Sequence, residues 1–187
     1  MRYFIGYIVT IGLLIALILF LVTSSGGGSK AKTLAAPKML NSYAYTDAQV
    51  RLTIDGPINA AQTHQQVQIT VSAFEATFQE IQGYDGTVVK AQSYYNTQNS
   101  YYAFLSALMQ ASFTRGTIPP GLSHDTGFCP LGDRYDIELV QDGQQLEHYW
   151  ITSCGGTSTF KGNFPLTLSL FQAQIPNYGT LAGGLNL

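Results

Sequence analysis

Apolar and polar residues alternate in two short windows in the first half of the chain. The apolar residues at every second position are Val50, Leu52 and Ile54, and then Val67, Ile69 and Val71. This period of two predicts β-strands that bury one face. After Ser72 the apolar residues change parity, which indicates a bulge or a tight turn. Residues 77–95 then predict a hairpin that turns at Asp85-Gly86.

Residues 128–154 predict a second hairpin. Its turn is Asp142-Gly143, a dipeptide that suits a type I′ turn because both central residues need positive φ. A two-residue turn there pairs residues whose numbers sum to 285. The pairs expected on one face are Leu139 with Leu146, Ile137 with His148, and Tyr135 with Trp150.

Two helices are predicted between and after these strands. The first has a helical repeat at Tyr101, Phe104, Leu105, Leu108 and Ser112. Asn96 or Asn99 would cap it, and Gly116 would end it. The second lies between Pro165 and Pro176, although the leucine alternation there also fits a strand. The order predicts an α+β fold, with an antiparallel sheet and two helices packed on one face.

Residues 3–22 form an apolar segment without a charged side chain. Twenty helical residues rise about 30 Å, which matches the hydrocarbon core of a bilayer. The segment exceeds the roughly 7 to 15 apolar residues of a cleaved signal peptide, so we expect an uncleaved anchor in the lipid bilayer, although small residues at 22–24 fit a cleavage site. The expected organisation is a transmembrane helix at 1–23, a flexible Gly/Ser/Lys linker at 24–42 and a domain at 43–187.

Charge is divided unevenly along the chain. Residues 1–38 carry four basic and no acidic residues, and residues 39–187 carry five basic and eleven acidic ones, hence a net charge of −6. Nucleic-acid-binding domains need a basic face. We therefore expect no nucleic-acid partner.

The two cysteines lie near the open end of the predicted second hairpin. Residue 131 would face Cys154, which makes Cys129 a diagonal neighbour at about 7 Å, and a small bend would bring the sulfurs together. A zinc site would need a local cysteine pair, and Cys129 as a nucleophile would need His124 as its base. We predict a disulfide, which needs an oxidising compartment.

The orientation in the membrane rests on two opposing observations. Lys30, Lys32 and Lys38 follow the apolar segment and favour a cytoplasmic domain by the positive-inside rule. The predicted disulfide favours the opposite side. We give the disulfide more weight and expect a single-pass protein of the cell membrane with its C-terminal domain outside the cytoplasm.

The three histidines predict no catalytic site. His148 is expected to be a core residue on the inner face of the hairpin, and His64 a solvated residue in a polar turn. Ser123-His124-Asp125 has the residue types of a catalytic triad, but triads are assembled from distant parts of a chain. No familiar catalytic motif occurs. We expect a protein that is not an enzyme and that binds no cofactor or metal.

Tyrosines flank an amide-rich turn at 96–100. They are Tyr94, Tyr95, Tyr101 and Tyr102. Aromatic rings beside amides can stack on a sugar or peptide and hydrogen-bond it. These tyrosines form a candidate binding surface, with core and rim positions as the alternative.

The order of elements, with Cys-Pro-x-x-x-x-Tyr-Asp at 129–136 and a cysteine after the last strand, resembles the Streptomyces-type subtilisin inhibitors. The resemblance implies that Pro130, Leu131 and Gly132 form a protease-binding loop, with Leu131 entering the primary pocket and Cys154 anchoring the loop. The first disulfide of that family is missing from this chain.

Taken together, these features predict an anchored, extracytoplasmic domain that binds a protein or glycan partner at the cell surface without catalysing a reaction. The alternative is a serine protease inhibitor that acts through Cys129, Pro130 and Leu131.

Overall fold

The computed structural model describes residues 38–187. The predicted membrane anchor at 3–22 and the linker up to residue 37 lie outside the described residues. Within 38–187, no helix has both the length and the apolar character needed to cross a bilayer.

The described residues form an α+β domain, as predicted. The strands are β1 Gln49–Asp55, β2 Gln65–Val71, β3 Glu75–Gln82, β4 Thr87–Tyr95, β5 Arg134–Gln141 and β6 Gln144–Thr152. The α-helices are α1 Gln98–Gln110, α2 Phe164–Gln172 and α3 Tyr178–Ala182, and a 3-10 helix spans Leu40–Tyr45. Because Leu40 and Ala44 are buried, residues 40–42, which the composition assigned to the linker, belong to the folded part.

All six strands form one antiparallel sheet in the order β4-β3-β2-β1-β5-β6. The apolar residues of the alternating windows share one face, and they form a single hydrophobic cluster with side chains of the helices. Phe104 of α1 and Phe171 of α2 meet edge to face within this cluster, with 5.4 Å between their ring centroids. The helices therefore cover the inner face of the sheet, which leaves the opposite, outer face for other contacts.

The register of the second hairpin differs from the prediction. The turn has positive φ at Asp142 and Gly143, as expected. A bulge then leaves Leu146 without a partner, so that Leu139 pairs with Glu147 and not with Leu146. The shift also pairs Ile137 with Tyr149 and Tyr135 with Ile151. One extra residue reverses the two faces of β6 beyond the bulge, and His148 and Trp150 consequently lie on the outer face.

The ends of α1 also differ from the prediction. Thr97 caps the helix, because its side chain accepts a hydrogen bond from the Ser100 amide at 3.2 Å. Asn96 instead donates from Nδ2 to the Ser72 carbonyl at 2.8 Å, across the tight turn between β2 and β3. The helix ends at Gln110, well before Gly116, and Ser112 follows with a φ of 57°.

A short segment after β6 returns along the edge of that strand. The Thr159 hydroxyl accepts a hydrogen bond from the Trp150 amide at 2.7 Å, and the Thr159 amide donates to the Trp150 carbonyl at 3.0 Å. On the outer face, the Trp150 indole donates to the Leu122 carbonyl at 2.9 Å and its ring contacts Phe128. The loop before β5 therefore covers part of the outer face.

Candidate functional site

The two cysteines lie at the end of the sheet where β5 begins and β6 ends. Their sulfur atoms are 2.03 Å apart and their Cα atoms 5.6 Å apart, so Cys129 and Cys154 form a disulfide. The Gly132 amide donates to the Cys129 carbonyl at 3.2 Å, which closes a four-residue turn with Pro130 and Leu131 at its tip. The disulfide therefore fixes one side of this turn to the end of β6.

Gly132 is required by the packing of this turn. A Cβ atom at this position would lie 2.8 Å from the Cys129 sulfur and 2.5 Å from the Ser153 hydroxyl. Any other residue would force the turn away from the disulfide. Leu131, by contrast, is 86% exposed, so the turn presents an apolar side chain to solvent.

The turn is also attached to the loop between β1 and β2. The Ile58 amide donates to the Pro130 carbonyl at 2.8 Å. Ile58 itself is 48% exposed. The backbone bond therefore holds two exposed apolar side chains on neighbouring loops in a defined arrangement.

A third loop, between β3 and β4, is joined to the same structure by Tyr84. Its hydroxyl accepts a hydrogen bond from the Asn59 amide at 3.1 Å and donates one to the Asn59 carbonyl at 2.9 Å. The Gly83 amide donates to the His64 carbonyl at 2.9 Å. We call the loops 56–64, 83–86 and 129–133 together the clasp surface.

His64 is buried beneath the clasp surface, so the prediction of a solvated histidine was wrong. Its side chain has no exposed area and its ring stacks on Tyr84, with 4.0 Å between centroids. Its Nδ1 lies 3.2 Å from the Pro57 carbonyl and its Nε2 lies 2.7 Å from Asp55 Oδ1. The Tyr84 ring and these two oxygen contacts exclude water, which the polar sequence around His64 did not indicate.

Asp55 and Arg134 form a buried ion pair next to His64. The Arg134 side chain is only 6% exposed, and it contacts the Asp55 carboxylate, the Gly56 carbonyl at 3.0 Å, and Asp125 Oδ2 at 3.2 Å from Nε. Burial raises the pKa of Asp125, and the nearby Asp136 carboxylate adds to this effect. Arg134 therefore compensates two carboxylates, one at the end of β1 and one in the loop before β5.

A small cavity of about 260 Å³ opens beside this cluster. Its lining includes the exposed Ile58 and Tyr84 together with Asp55, Asp125 and Arg134. A second, larger cavity of about 680 Å³ lies on the β3–β4 turn and is also lined by Tyr84. Tyr84 thus contributes to both concave regions at this end of the sheet.

Ser123-His124-Asp125 does not come together as a triad. The Asp125 carboxylate points to Arg134 Nε, and Ser123 and His124 are exposed on the loop. Among residues 38–187, no group of three or more histidine, cysteine or acidic side chains is arranged to hold a metal ion.

His148 lies on the outer face and not in the core, which corrects the prediction. The bulge at Leu146 is the physical reason, because it inverts the faces of β6. His148 Nε2 lies 2.8 Å from Asp136 Oδ1 on the neighbouring strand. This hydrogen bond is the main cause that raises the pKa of His148.

The four tyrosines around residues 96–100 do not share one surface. Tyr101 is fully buried, and its hydroxyl donates to the Ala48 carbonyl at 3.0 Å. Tyr94 is partly buried with its hydroxyl directed to the Pro176 carbonyl. Tyr95 is 86% exposed, and Tyr102 is 40% exposed beside Tyr45. Tyr101 therefore cannot offer its ring to a ligand.

Comparison with protein-family models and with curated proteins finds no match to this chain. The residues Tyr84, Asp55 and Arg134 were not among the predicted site residues. Asp55 and Arg134 could have been noticed, because few charged residues occur in this chain and both lie at strand ends.

Proposed function

We propose that this protein is a single-pass membrane protein whose C-terminal domain lies outside the cytoplasm and binds a partner at the cell surface. The observation that carries the proposal is the clasp surface, where a disulfide and loop-to-loop hydrogen bonds hold exposed apolar side chains in place. A disulfide supports an oxidising compartment. The apolar segment at 3–22 supports attachment to the lipid bilayer.

Preorganisation is the physical reason to assign binding to this end of the domain. Loops that are fixed before binding lose little conformational entropy when a partner docks. Leu131, Ile58 and Tyr84 are all about half exposed or more. Exposed apolar side chains on a rigid support are typical of contact residues in interfaces.

Binding is favoured over catalysis because the histidines with defined contacts are engaged in the structure of the domain. His64 is buried against Asp55 and Pro57, and His148 is paired with Asp136. A general base must reach the proton that it abstracts. These three contacts engage both ring nitrogens of His64 and the Nε2 of His148.

Serine protease inhibition through Cys129, Pro130 and Leu131 is the second candidate. In its favour, Leu131 is highly exposed next to a disulfide and the Pro130 carbonyl is held by the Ile58 amide. Against it, the Gly132 amide bonds to the Cys129 carbonyl. That bond closes the loop into a turn, whereas a loop that binds a protease by pairing with the edge of a sheet must be extended.

The proposal is tested with the full-length chain in cells of its natural host. A C-terminal epitope tag should be reached by antibody in intact cells, and mass spectrometry under non-reducing conditions should recover the Cys129–Cys154 cross-link. A photo-crosslinker at position 131 should capture a partner, and the same crosslinker at exposed Leu166 on α2 should not. A tag that is accessible only after lysis, or free thiols in native protein, would overturn the proposal.

Inhibition is tested separately. Subtilisin-like proteases are assayed with the wild type and with Leu131→Asp. Inhibition that the substitution abolishes supports the second candidate. A wild type that inhibits none of them removes it and leaves surface binding untouched.

A further inference from the structure

We propose that the cavity on the β3–β4 turn is a saccharide-binding site, with Tyr84 as its stacking platform and a neutral sugar as its ligand. This inference rests on the proposed surface-binding function and names a ligand class for the same end of the domain. The cavity measures about 680 Å³, within the range of roughly 300 to 1,000 Å³ common for small-molecule sites.

One face of the Tyr84 ring is packed against a neighbouring side chain. One side is stacked on the fully buried His64, with an angle of 14° between the two ring planes. Tyr84 as a whole is nevertheless 53% exposed. Because His64 is itself fixed by Asp55 and Pro57, the free side of the Tyr84 ring is a rigid, flat apolar surface.

The Tyr84 hydroxyl does not take part in recognition. It already donates to the Asn59 carbonyl and accepts from the Asn59 amide. The aromatic ring is therefore what the side chain offers to a ligand. A sugar ring presents a face of C–H groups that suits such a surface, with hydroxyl groups at its edge.

The remaining lining provides groups that can bind those hydroxyls. Gln62, Gln82, Asp85 and Thr87 line the cavity beside Ala61 and Gly83. A side-chain amide both donates and accepts, a carboxylate accepts, and a sugar hydroxyl does both. Gln82 donates from Nε2 to the Gln62 carbonyl, which holds its amide at the wall of the cavity.

The charge of the cavity selects against acidic sugars. Asp85 is the charged residue of its lining, and residues 39–187 carry a net charge of −6. A carboxylated sugar would be repelled at short range, where a like charge is costly. The expected ligand is therefore a neutral hexose or N-acetylhexosamine unit of a larger glycan.

The experiment uses the full-length chain in lipid nanodiscs and three neutral probes: cellotriose, maltotriose and chitotriose. Saturation-transfer NMR should detect binding of at least one of them, and sialyllactose should not bind. Tyr84→Ala should weaken binding about tenfold, as expected for the loss of an aromatic contact. Tyr95→Ala is the matched control, because it removes a still more exposed tyrosine outside the cavity and should change nothing.

Two further variants test the site independently if Tyr84→Ala disturbs the loop. Gln82→Ala alters an exposed side chain and should weaken binding several-fold without changing the unfolding midpoint. Asp85→Asn should keep saccharide binding within about threefold, because an amide can still hydrogen-bond hydroxyls. Complete loss of probe binding with Asp85→Asn would show that the neutral probes depend on the Asp85 charge and not on the Tyr84 ring, and would overturn the inference.

The failure of this inference can be told apart from failure of the proposed function. If no probe binds while the position-131 crosslinker still captures a surface partner, the saccharide site is refuted and the binding function stands. If Tyr95→Ala abolishes binding and Tyr84→Ala does not, the site is assigned wrongly.

Discussion

On the inner face of the sheet, apolar side chains from the central strands meet the helices in one hydrophobic cluster, whereas the outer face of β1, β5 and β6 carries ion pairs. Those pairs are Arg51 with Glu138, Asp55 with Arg134, and Asp136 with His148. Apolar burial is non-directional and tolerates small displacements. Ion pairs depend on specific partners in register, so each charged residue of the outer face contributes through the one or two residues that it contacts.

This difference also separates the part of the domain that determines the fold from the part that we assign to function. The inner face stabilises the sheet and helices together. The outer face continues into the clasp surface through Asp55, which contacts both Arg134 and His64. Substitutions on the two faces should therefore differ in their effect on the stability of the domain.

The largest effect is expected from Phe171→Ala on the inner face. Phe171 has no exposed area and packs against Phe104 and Phe113. Removing a buried phenylalanine leaves a cavity and costs about 4 kcal/mol in the free energy of unfolding. Leu166→Ala on the same helix is the control, because Leu166 is 37% exposed. Equal losses in denaturant unfolding would show that the helix does not pack as described.

The next effect is the loss of the disulfide in Cys154→Ala. The bond closes a loop with a sequence separation of 25 residues, for which the chain-entropy relation gives about 3.5 kcal/mol. Reducing agent should lower the melting temperature of the wild type and have no further effect on the variant. A wild-type melting temperature that is indifferent to reducing agent would contradict the stabilising role of the bond.

A smaller effect is expected from Arg134→Met on the outer face. The substitution leaves Asp55 and Asp125 close together without their compensating cation, which should cost about 2 kcal/mol after allowance for their partial exposure. Arg51→Met is the matched control in a more exposed pair and should cost under about 1 kcal/mol. If the two losses in urea unfolding are alike, the Arg134 cluster contributes no more than a surface ion pair.

The smallest effect concerns the pH dependence of His148. Its pKa in the folded state is raised above 6.5, chiefly by the hydrogen bond to Asp136, with help from Glu138 and Asp125. The stabilisation is therefore complete below pH 6.5 and is lost as the pH rises through the raised pKa. His124, whose ring lies 5.9 Å away, also faces this side chain.

The measurement is the urea midpoint from about pH 6 to about pH 9. The wild type should lose stability over this range, and His148→Gln should lose less. Burial also raises the pKa of Asp125, and the comparison with His148→Gln, which leaves Asp125 in place, isolates the contribution of His148. Parallel curves for the two proteins would exclude His148 as the source of the slope.

The six strands and the two longer helices could be predicted from the sequence because their periodicity is local, whereas the 3-10 helix Leu40–Tyr45 and the short α3 were not predicted. Val50, Leu52 and Ile54 alternate in the sequence as they do in the sheet. The register of β6 beyond the Asp142-Gly143 turn could not be predicted, because the turn residues do not indicate the bulge at Leu146. Because of this one extra residue, the predicted faces of His148 and Trp150 were both wrong.

The clasp surface was less accessible to sequence reasoning. Asp55 is separated by 79 residues from Arg134, and it meets Arg134 and Asp125 only when the sheet has formed. The burial of His64 depends on Tyr84, twenty residues later. For Tyr101, however, the helical spacing already placed it with the core residues Phe104 and Leu108, and that indication should have excluded it from the tyrosine surface.

The return of Thr159 onto Trp150 has a consequence for assembly. A strand added along the end of β6 from outside would collide with this segment, because the Trp150 amide and carbonyl are already occupied. The margin at β4 carries no such obstruction among the described contacts. Strand addition between two copies should therefore meet less hindrance along β4 than at the end of β6.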